Sequence, residues 1–350
     1  MYAKYQTINI SHFRGIEHAA LDGLKQVNLI VGKNNSGKTS VLEAFFLLAG
    51  MSEPRLAVAI NQFRDLSLKT DRDFKYIFNK LNIALPIRLE GCIDGIMRCA
   101  AFMPFYEDTK KIQITKDEKG EPLAPPLSRK KQDIDGLQII FKTAVTEEEK
   151  STVSIKKDMV SIAGAYQERL SCKYLHIKTR LDQMPKDIAN IIIKKRMDTI
   201  VKVLQEIEPN LIDIRMGNNE NIYFDIGADE LVPINIMGDG IRRTLSVLSS
   251  IYEMEHGVLL IDEIENGLHY SCLKVFWKAI LTAAKLFDVQ IIATTHSYEC
   301  IEALMLVETA MCNDECISLY RTEKKHNTVR TVHIDSETLL TSLKENYEVR

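Results

Sequence analysis

Eight residues near the N-terminus, Gly32-Lys33-Asn34-Asn35-Ser36-Gly37-Lys38-Thr39, follow the form G-x-x-x-x-G-K-[ST] at every fixed position. The chemistry this spacing permits is the holding of a polyphosphate. Glycines let successive backbone N–H groups point into one concavity, and a helix starting at the loop adds the positive end of its dipole. On this basis the expected ATP-binding set is Gly32, Asn34, Asn35, Ser36, Gly37, Lys38, Thr39 and Ser40. Lys38 would neutralise phosphate charge, and Thr39 would offer its hydroxyl to Mg²⁺.

A second candidate is Val258-Leu259-Leu260-Ile261-Asp262-Glu263, four apolar residues that end in two acids, the form of a Walker B strand. Asp262 would hold Mg²⁺ directly or through water, and Glu263 would orient and polarise an attacking water. Residues 289–294 are also apolar and run into Thr295-His296-Ser297. Two readings of His296 are open: a hydrogen-bonded structural residue, or a catalytic sensor of the γ-phosphate placed by a neighbouring strand. Two are also open for Met237-Gly238-Asp239-Gly240-Ile241-Arg242-Arg243, which precedes a helical stretch. One is an ordinary turn in which Asp239 caps the helix, and the other is a phosphate nest presented to a different subunit.

Elements must bring these segments together. Residues 5–13 and the apolar run 27–31 read as strands, and residues 40–48 (SVLEAFFLL) as a helix, giving strand, glycine loop, helix. Residues 51–174 are mixed. A charged stretch at 61–80 reads as helix, and 87–92, 97–103, 137–145 and 152–160 read as strands. Residues 107–132, rich in Lys, Asp, Gly and Pro, read as an exposed loop. Apolar residues at Ile188, Ile192, Met197, Val201 and Leu204 predict one helix over 185–208. Its basic side, Lys194, Lys195 and Arg196, is either solvated or set against polynucleotide phosphates. Helices at 241–254 and 273–287 alternate with strands at 258–261 and 289–294, and a closing hairpin pairs 317–321 with 329–334. Alternating strands and helices imply a mostly parallel sheet flanked by helices.

The expected fold class is therefore an α/β P-loop NTPase with a mostly parallel central sheet, an antiparallel β-rich N-terminal lobe and a helical insertion. The expected organisation is one unit over 1–350. Residues 1–50 form strand, loop and helix, 51–185 an inserted β-rich and helical lobe, and 186–350 the remaining motifs.

Composition narrows the field. With 350 residues, 45% of them hydrophobic and 27% charged, the chain can bury a large core. A formal net charge of −3 argues against a dedicated nucleic-acid coat while allowing a local basic patch. Seven scattered cysteines point to reduced thiols and a cytoplasmic setting. Cys312 and Cys316, with His326 and His333, are a poor match to zinc-knuckle spacing and read as plain thiols and side chains. The N-terminal MYAKYQTINISHFRGI lacks the apolar core of a signal peptide, and no run of 18 apolar residues is present, so no membrane insertion is expected.

At its motifs the sequence resembles ABC-type ATPases of the RecF, SMC and OLD group, and most closely the compact AAA-15/AAA-21-like proteins related to OLD. The resemblance rests on Ile8-Asn9-Ile10 with Phe13-Arg14-Gly15, GKNNSGKTS leading into VLEAF, MGDGIRR, LLIDEIENGLH and ATTHS, in that order. It implies an ABC-type head whose two copies sandwich two ATP molecules in a homodimer, with higher oligomers also open. Gly238, Asp239 and Gly240 would be the signature facing the nucleotide of the other subunit, with Arg242 as its basic residue. The serine of transporter signatures is absent. Glu265, Asn266 and Gly267 would form the D-loop, with His269 nearby. Arg14 resembles an arginine that relatives place beside the nucleotide and the DNA-facing side. Neither Gln62 nor Gln167 is marked as a Q-loop glutamine. Since 54 residues follow His296 and show no acidic triad, no Toprim nuclease is expected.

The function expected is a slow ATPase acting as a dimerising switch for a separate effector, a nuclease or toxin. The anti-phage setting is implied by the resemblance alone. The alternative is a DNA-binding repair or maintenance ATPase of RecF/SMC type. A transporter subunit and a small-molecule kinase fit less well, the first for its missing signature serine, the second because it has no use for MGDGIRR or ATTHS.

Overall fold

Strands buried on both faces of a sheet have no polar side to show, and Val27–Val31, Val258–Ile261 and Gln290–Thr295 are buried at every position. The computed structural model describes residues 4–106, 134–162, 166, 168–176, 180–311, 316–325, 328–334, 338, 339 and 341. The expected loop at 107–132, and Gln167, Cys312 and His326, lie outside the described residues.

In chain order the elements are β1 Tyr5–Phe13, β2 Ile16–Asp22, β3 Val27–Val31, α1 Lys38–Ala49, α2 Leu56–Gln62, β4 Ile87–Ile93, β5 Ile96–Phe105, β6 Gly136–Thr143, β7 Glu149–Ser154, β8 Met159–Ser161 and β9 Cys172–Leu175. There follow α3 Arg180–Ile193, α4 Met197–Leu204, β10 Asp213–Met216, β11 Ile222–Asp225, β12 Val232–Pro233, α5 Asp239–Glu253, β13 Val258–Ile261, α6 Leu273–Leu286, β14 Gln290–Thr295, α7 Tyr298–Met311, β15 Ile317–Lys325 and β16 Thr328–Ile334.

Among the described residues the strands form three sheets. The central one has the order β16-β15-β3-β14-β13-β9, parallel except for the terminal β15–β16 hairpin. The second, β2-β1-β4-β5-β6-β7-β8, is antiparallel throughout, so the β4–β8 meander extends the N-terminal hairpin. The third, β10-β11-β12, is small. This is the mixed α/β architecture expected.

Two cores follow from the alternation of strand side chains. Leu29, Leu259 and Ile291 face a cluster with helices α3 to α7, whereas Ile30, Leu260 and Ile292 face α1 and the antiparallel sheet. Helix α1 therefore lies between two sheets, and most of its side chains are buried. The two sheets are stitched by Gln290, 2% exposed. Its Oε1 accepts from Tyr5 N at 2.6 Å, and its Nε2 donates to Tyr5 O and Lys25 O, both at 2.8 Å.

Four local expectations change. Residues 16–22 form an additional strand, missed because Glu17, His18 and Ala20 blur the alternation. The 61–80 stretch is not one helix. α2 ends near Phe63, Asp65 turns left-handed at φ 58°, and a short 3₁₀ turn, Asp71–Ile77, starts from a Thr70–Asp73 capping box. Residues 152–160 split into β7 and β8. The 185–208 helix is two helices, α3 and α4. α3 ends in a Schellman pattern, Arg196 N to Ile191 O at 3.1 Å and Lys195 N to Ile192 O at 2.9 Å, with Lys195 at φ 55° where glycine is usual. Lys194 and Arg196 flank that stop and lie 5.4 and 5.6 Å from the ring centre of Tyr252, so both cations already have an aromatic partner.

The closing hairpin braces the glycine loop. Thr322 Oγ1 is 2.7 Å from Ser36 Oγ and donates to Val31 O at 3.0 Å. A Cβ added to Gly32, at φ 150°, would meet Thr322 Oγ1 at 2.5 Å and Thr322 O at 2.6 Å. One added to Gly37, at φ 100°, would meet Val329 Cγ2 at 2.8 Å.

Two substitutions test this frame. Gln290→Leu strands two backbone carbonyls and an amide between the sheets, and should lower unfolding free energy by about 3 kcal/mol in urea titration. Gly32→Ala should displace the loop and lower the melting temperature in scanning calorimetry.

Candidate functional site

Strands β3, β14 and β13 are adjacent and parallel, so their C-terminal ends open onto one crevice, the usual place for a ligand in an open α/β sheet. The glycine loop follows β3, His296 follows β14, and Asp262-Glu263 follows β13. The strand leading to His296 thus lies between the other two.

Gly37, left-handed, caps helix α1 without a side-chain cap, so the first-turn amides face the loop, as anion binding requires. Lys38 is 8% exposed and donates from Nζ to Gly32 O at 2.7 Å and Lys33 O at 3.0 Å. Burial lowers its pKa, against the opposing pull of the Glu263, Asp262 and Glu265 carboxylates. Asn34 and Asn35 are exposed, with Asn35 at φ 62°. Ser36 is buried, with its hydroxyl turned toward Thr322, which leaves only its main chain for a ligand.

Asp262 is 5% exposed. Thr294 Oγ1 donates to its Oδ1 at 2.6 Å, and Thr39 Oγ1 lies 3.3 and 3.2 Å from its two oxygens. One carboxylate and one hydroxyl are the oxygen donors Mg²⁺ takes when it keeps waters and borrows phosphate oxygens, so the pair fits that ion.

Glu263 has a left-handed backbone, φ 46°, which costs about 1–2 kcal/mol for a residue with a Cβ. Neighbours hold it there. Its N–H donates to Thr294 Oγ1 at 2.8 Å, and its carbonyl accepts from Arg243 Nη2 at 3.2 Å. Asn266 Nδ2 is 3.5 Å from Glu263 Oε2.

His296 is half-exposed, and its Nδ1 lies 3.1 Å from Glu265 Oε1, which also accepts the His296 N–H at 3.0 Å. This carboxylate fixes the ring, the usual way an imidazole is held in one tautomer. Glu265 is 9% exposed and turned inward, while Asn266 and Gly267 are exposed. The Glu265 side chain is therefore engaged within its own chain.

Gly238 caps α5, and Asp239 is paired with Arg242 Nη1 at 3.2 Å, so Asp239 is not the helix cap that one sequence reading made it. A Cβ on Gly267 would lie 3.7 Å from Asp239 Cβ, so the Gly238-Asp239-Gly240 segment and the 265–267 turn adjoin in one chain.

Arg14 lies in the β1–β2 turn, with its guanidinium on Glu43, Nε to Oε2 at 2.6 Å, and on Ile60 O and Asn61 Oδ1. Burial lowers its pKa, while Glu43 pulls the other way. Arg64 Nε reaches the other Glu43 oxygen at 2.6 Å, and its Nη2 donates to Ser40 Oγ at 3.2 Å. One fully buried carboxylate thus holds two arginines. Both line a cavity of about 300 Å³ beside Asn35, Gly37 and Ser40, with Tyr76 on its wall.

Thr294, Arg243, Glu43, Arg64 and Thr322 were outside the expected site. Thr294 and Arg243 sit inside the quoted ATTHS and MGDGIRR strings, and Glu43 follows Thr39 by four residues on one helix face. Arg64 and Thr322 carry no local signal. Gln62 is exposed at the end of α2, whereas the β9–β13 register sets His176 level with Asp262, its ring stacked on Phe63 with centroids 5.6 Å apart.

Comparison with known proteins agrees with this geometry. Residues 4–162 and 137–301 match the family model AAA-15, described as an AAA ATPase domain. A Helicobacter pylori protein described as an ATP/GTP phosphatase is 22% identical over 334 residues, 85% of this chain and 87% of its own. The DNA replication and repair protein RecF of Idiomarina loihiensis is 51% identical over 43 residues, 12% of each chain. Among solved structures, an Smc head bound to the C-terminal winged-helix domain of ScpA aligns with TM-score 0.50 at 12% identity, covering 96% of this chain and 99% of that one. Among the described residues no helix is long and apolar enough to cross a membrane. With the family model spanning most of its length, the chain belongs to the AAA-15 ATPases, P-loop ATPases of the ABC, RecF and SMC type.

Proposed function

We propose that the protein binds ATP with Mg²⁺, hydrolyses it slowly, and uses the cycle to close and open a homodimer that controls a separate cytoplasmic effector. The observation that carries this reading is the meeting of Lys38, Thr39, Asp262 and Glu263 at the ends of adjacent parallel strands in an ATPase of this family.

The roles follow from position. Loop amides and Lys38 hold the β- and γ-phosphates. Thr39 and Asp262 hold Mg²⁺, which supplies charge neutralisation at the phosphate oxygens. Glu263 orients the attacking water, and His296, steadied by Glu265, senses the γ-phosphate. The cavity walled by Arg14, Arg64 and Tyr76 continues from the loop and receives the nucleoside end. The H. pylori relative's description as an ATP/GTP phosphatase supports nucleoside triphosphate hydrolysis.

Dimerisation rests on exposure. Gly238 and Asp239 lie beside Asn266 and Gly267 on the surface, with Ile236 75% and Tyr270 70% exposed nearby in sequence. A second copy that presents Gly238, Asp239, Gly240 and Arg242 to the bound γ-phosphate would cover them. Control of a nuclease or toxin in anti-phage defence is the biological setting we favour. The DNA-clamp alternative rests on Lys194, Lys195 and Arg196, all exposed, two of them also near the ring of Tyr252, and salt-sensitive, ATP-strengthened DNA binding would favour it.

Two variants test the scheme. Lys38→Ala should weaken ATP binding at least tenfold in calorimetric titration, and unchanged affinity would remove its basis. Glu263→Gln should slow hydrolysis about a hundredfold or more while leaving ATP affinity intact. With ATP and Mg²⁺ it should elute as a stable dimer by light scattering. A variant that stays monomeric under those conditions refutes the switch.

A further inference from the structure

Arg243 is 4% exposed, and burying a guanidinium costs several kcal/mol unless specific acceptors receive it. The acceptors here are two successive main-chain carbonyls of the catalytic turn. Nη2 donates to Glu263 O at 3.2 Å, and Nε donates to Ile264 O at 3.3 Å. A guanidinium suits this task because its donors are fixed in one plane, whereas an ammonium cannot set two carbonyls in a defined mutual direction.

The turn it grips is the one whose geometry is least favourable. Glu263 is left-handed, and its N–H side is already held by Thr294 Oγ1 at 2.8 Å. Ile264 N bonds Thr294 O at 3.0 Å. Thr294 therefore secures one side of the peptide and Arg243 the other. With both in place the Glu263 side chain leaves the backbone in one direction. Loss of either would let the residue relax toward the right-handed region, and the carboxylate would swing with it.

From this geometry we infer that Arg243 is the positioning residue of Glu263, aiming its carboxylate without touching nucleotide or water. The inference rests on the proposed role of Glu263. It also assigns the two arginines of the MGDGIRR segment different work. Arg242 is partly exposed and pairs with Asp239 at the helix start, while Arg243, one residue and about 100° further round the helix, points inward. Helix α5 thereby carries the outward-facing Gly238-Asp239-Gly240 segment and the grip on the catalytic turn as one body.

The test uses Arg243→Lys, which keeps the charge, alone and combined with Glu263→Gln. The single variant should lower kcat about tenfold, the worth of one charge-assisted hydrogen bond, with ATP affinity within about twofold of wild type. In the Glu263→Gln background it should cause no further loss, because a residue that acts through Glu263 has nothing left to aim. Hydrogen exchange of the nucleotide-free protein supplies a readout independent of activity. Peptides covering residues 258–268 should exchange faster in Arg243→Lys, with the remainder of the central sheet unchanged.

A wild-type kcat, or an equal fractional loss in both backgrounds, would overturn the inference and leave the ATPase reading standing. If wild-type hydrolysis does not depend on Glu263, that role fails and the inference falls with it. Should Arg243→Lys melt far below wild type, Arg243→Gln at reduced temperature repeats the cycle under the same criteria.

Discussion

A carboxylate buried at the end of an apolar strand has to be held by donors or by a cation, because the desolvation of an uncompensated charge costs several kcal/mol. Asp262 is held by two hydroxyls. Thr294 comes from the neighbouring strand, and Thr39 comes from the first turn of the helix behind the glycine loop. Those contacts knit the ends of β13 and β14 to the start of α1, with β3 immediately alongside. The rest of the molecule keeps that junction rigid. Helices α3 to α7 cover one face of the parallel sheet, while α1 and the antiparallel sheet cover the other.

The junction is arranged for exchange. Lys38 rests on the carbonyls of its own loop and Thr39 on Asp262, contacts that a polyphosphate and its cation would replace in the proposed ATP complex. In that complex Lys38 would exchange neutral carbonyl acceptors for anionic phosphate oxygens, and Thr39 would exchange a hydrogen bond for a metal–oxygen contact. Glu263 and Glu265 diverge in spite of being two residues apart. The first sits on a strained turn and faces the crevice, and the second is folded inward to hold His296. Two acids of one short segment thereby come to lie in different surroundings.

Much of this was legible in the sequence because its strongest signals are local. The glycine loop, the apolar strands that end in acid or histidine, and the alternation of strand and helix all come from short-range sterics and burial. What was not legible depends on residues far apart or on conformations that side chains do not advertise. Asp65, Lys195 and Glu263 all turn left-handed where glycine would have been the readable sign, and two of them interrupt stretches read from the sequence as single helices. Arg64 meets Glu43 and Ser40 through tertiary folding, and Thr322 meets Ser36 across 286 positions. No pattern within a window of twenty residues could have announced either.

That last distance bears on biosynthesis. The consensus octapeptide leaves the ribosome first, and the hydroxyl that steadies it, with Val329 near Gly37, is translated 286 positions after Ser36. At elongation of about 5–20 residues per second the interval is roughly a quarter of a minute to a minute. Throughout it a nascent polypeptide carries the letters of a phosphate cradle without its shape, and a truncated product released in that window would possess the motif yet lack the hairpin that braces it.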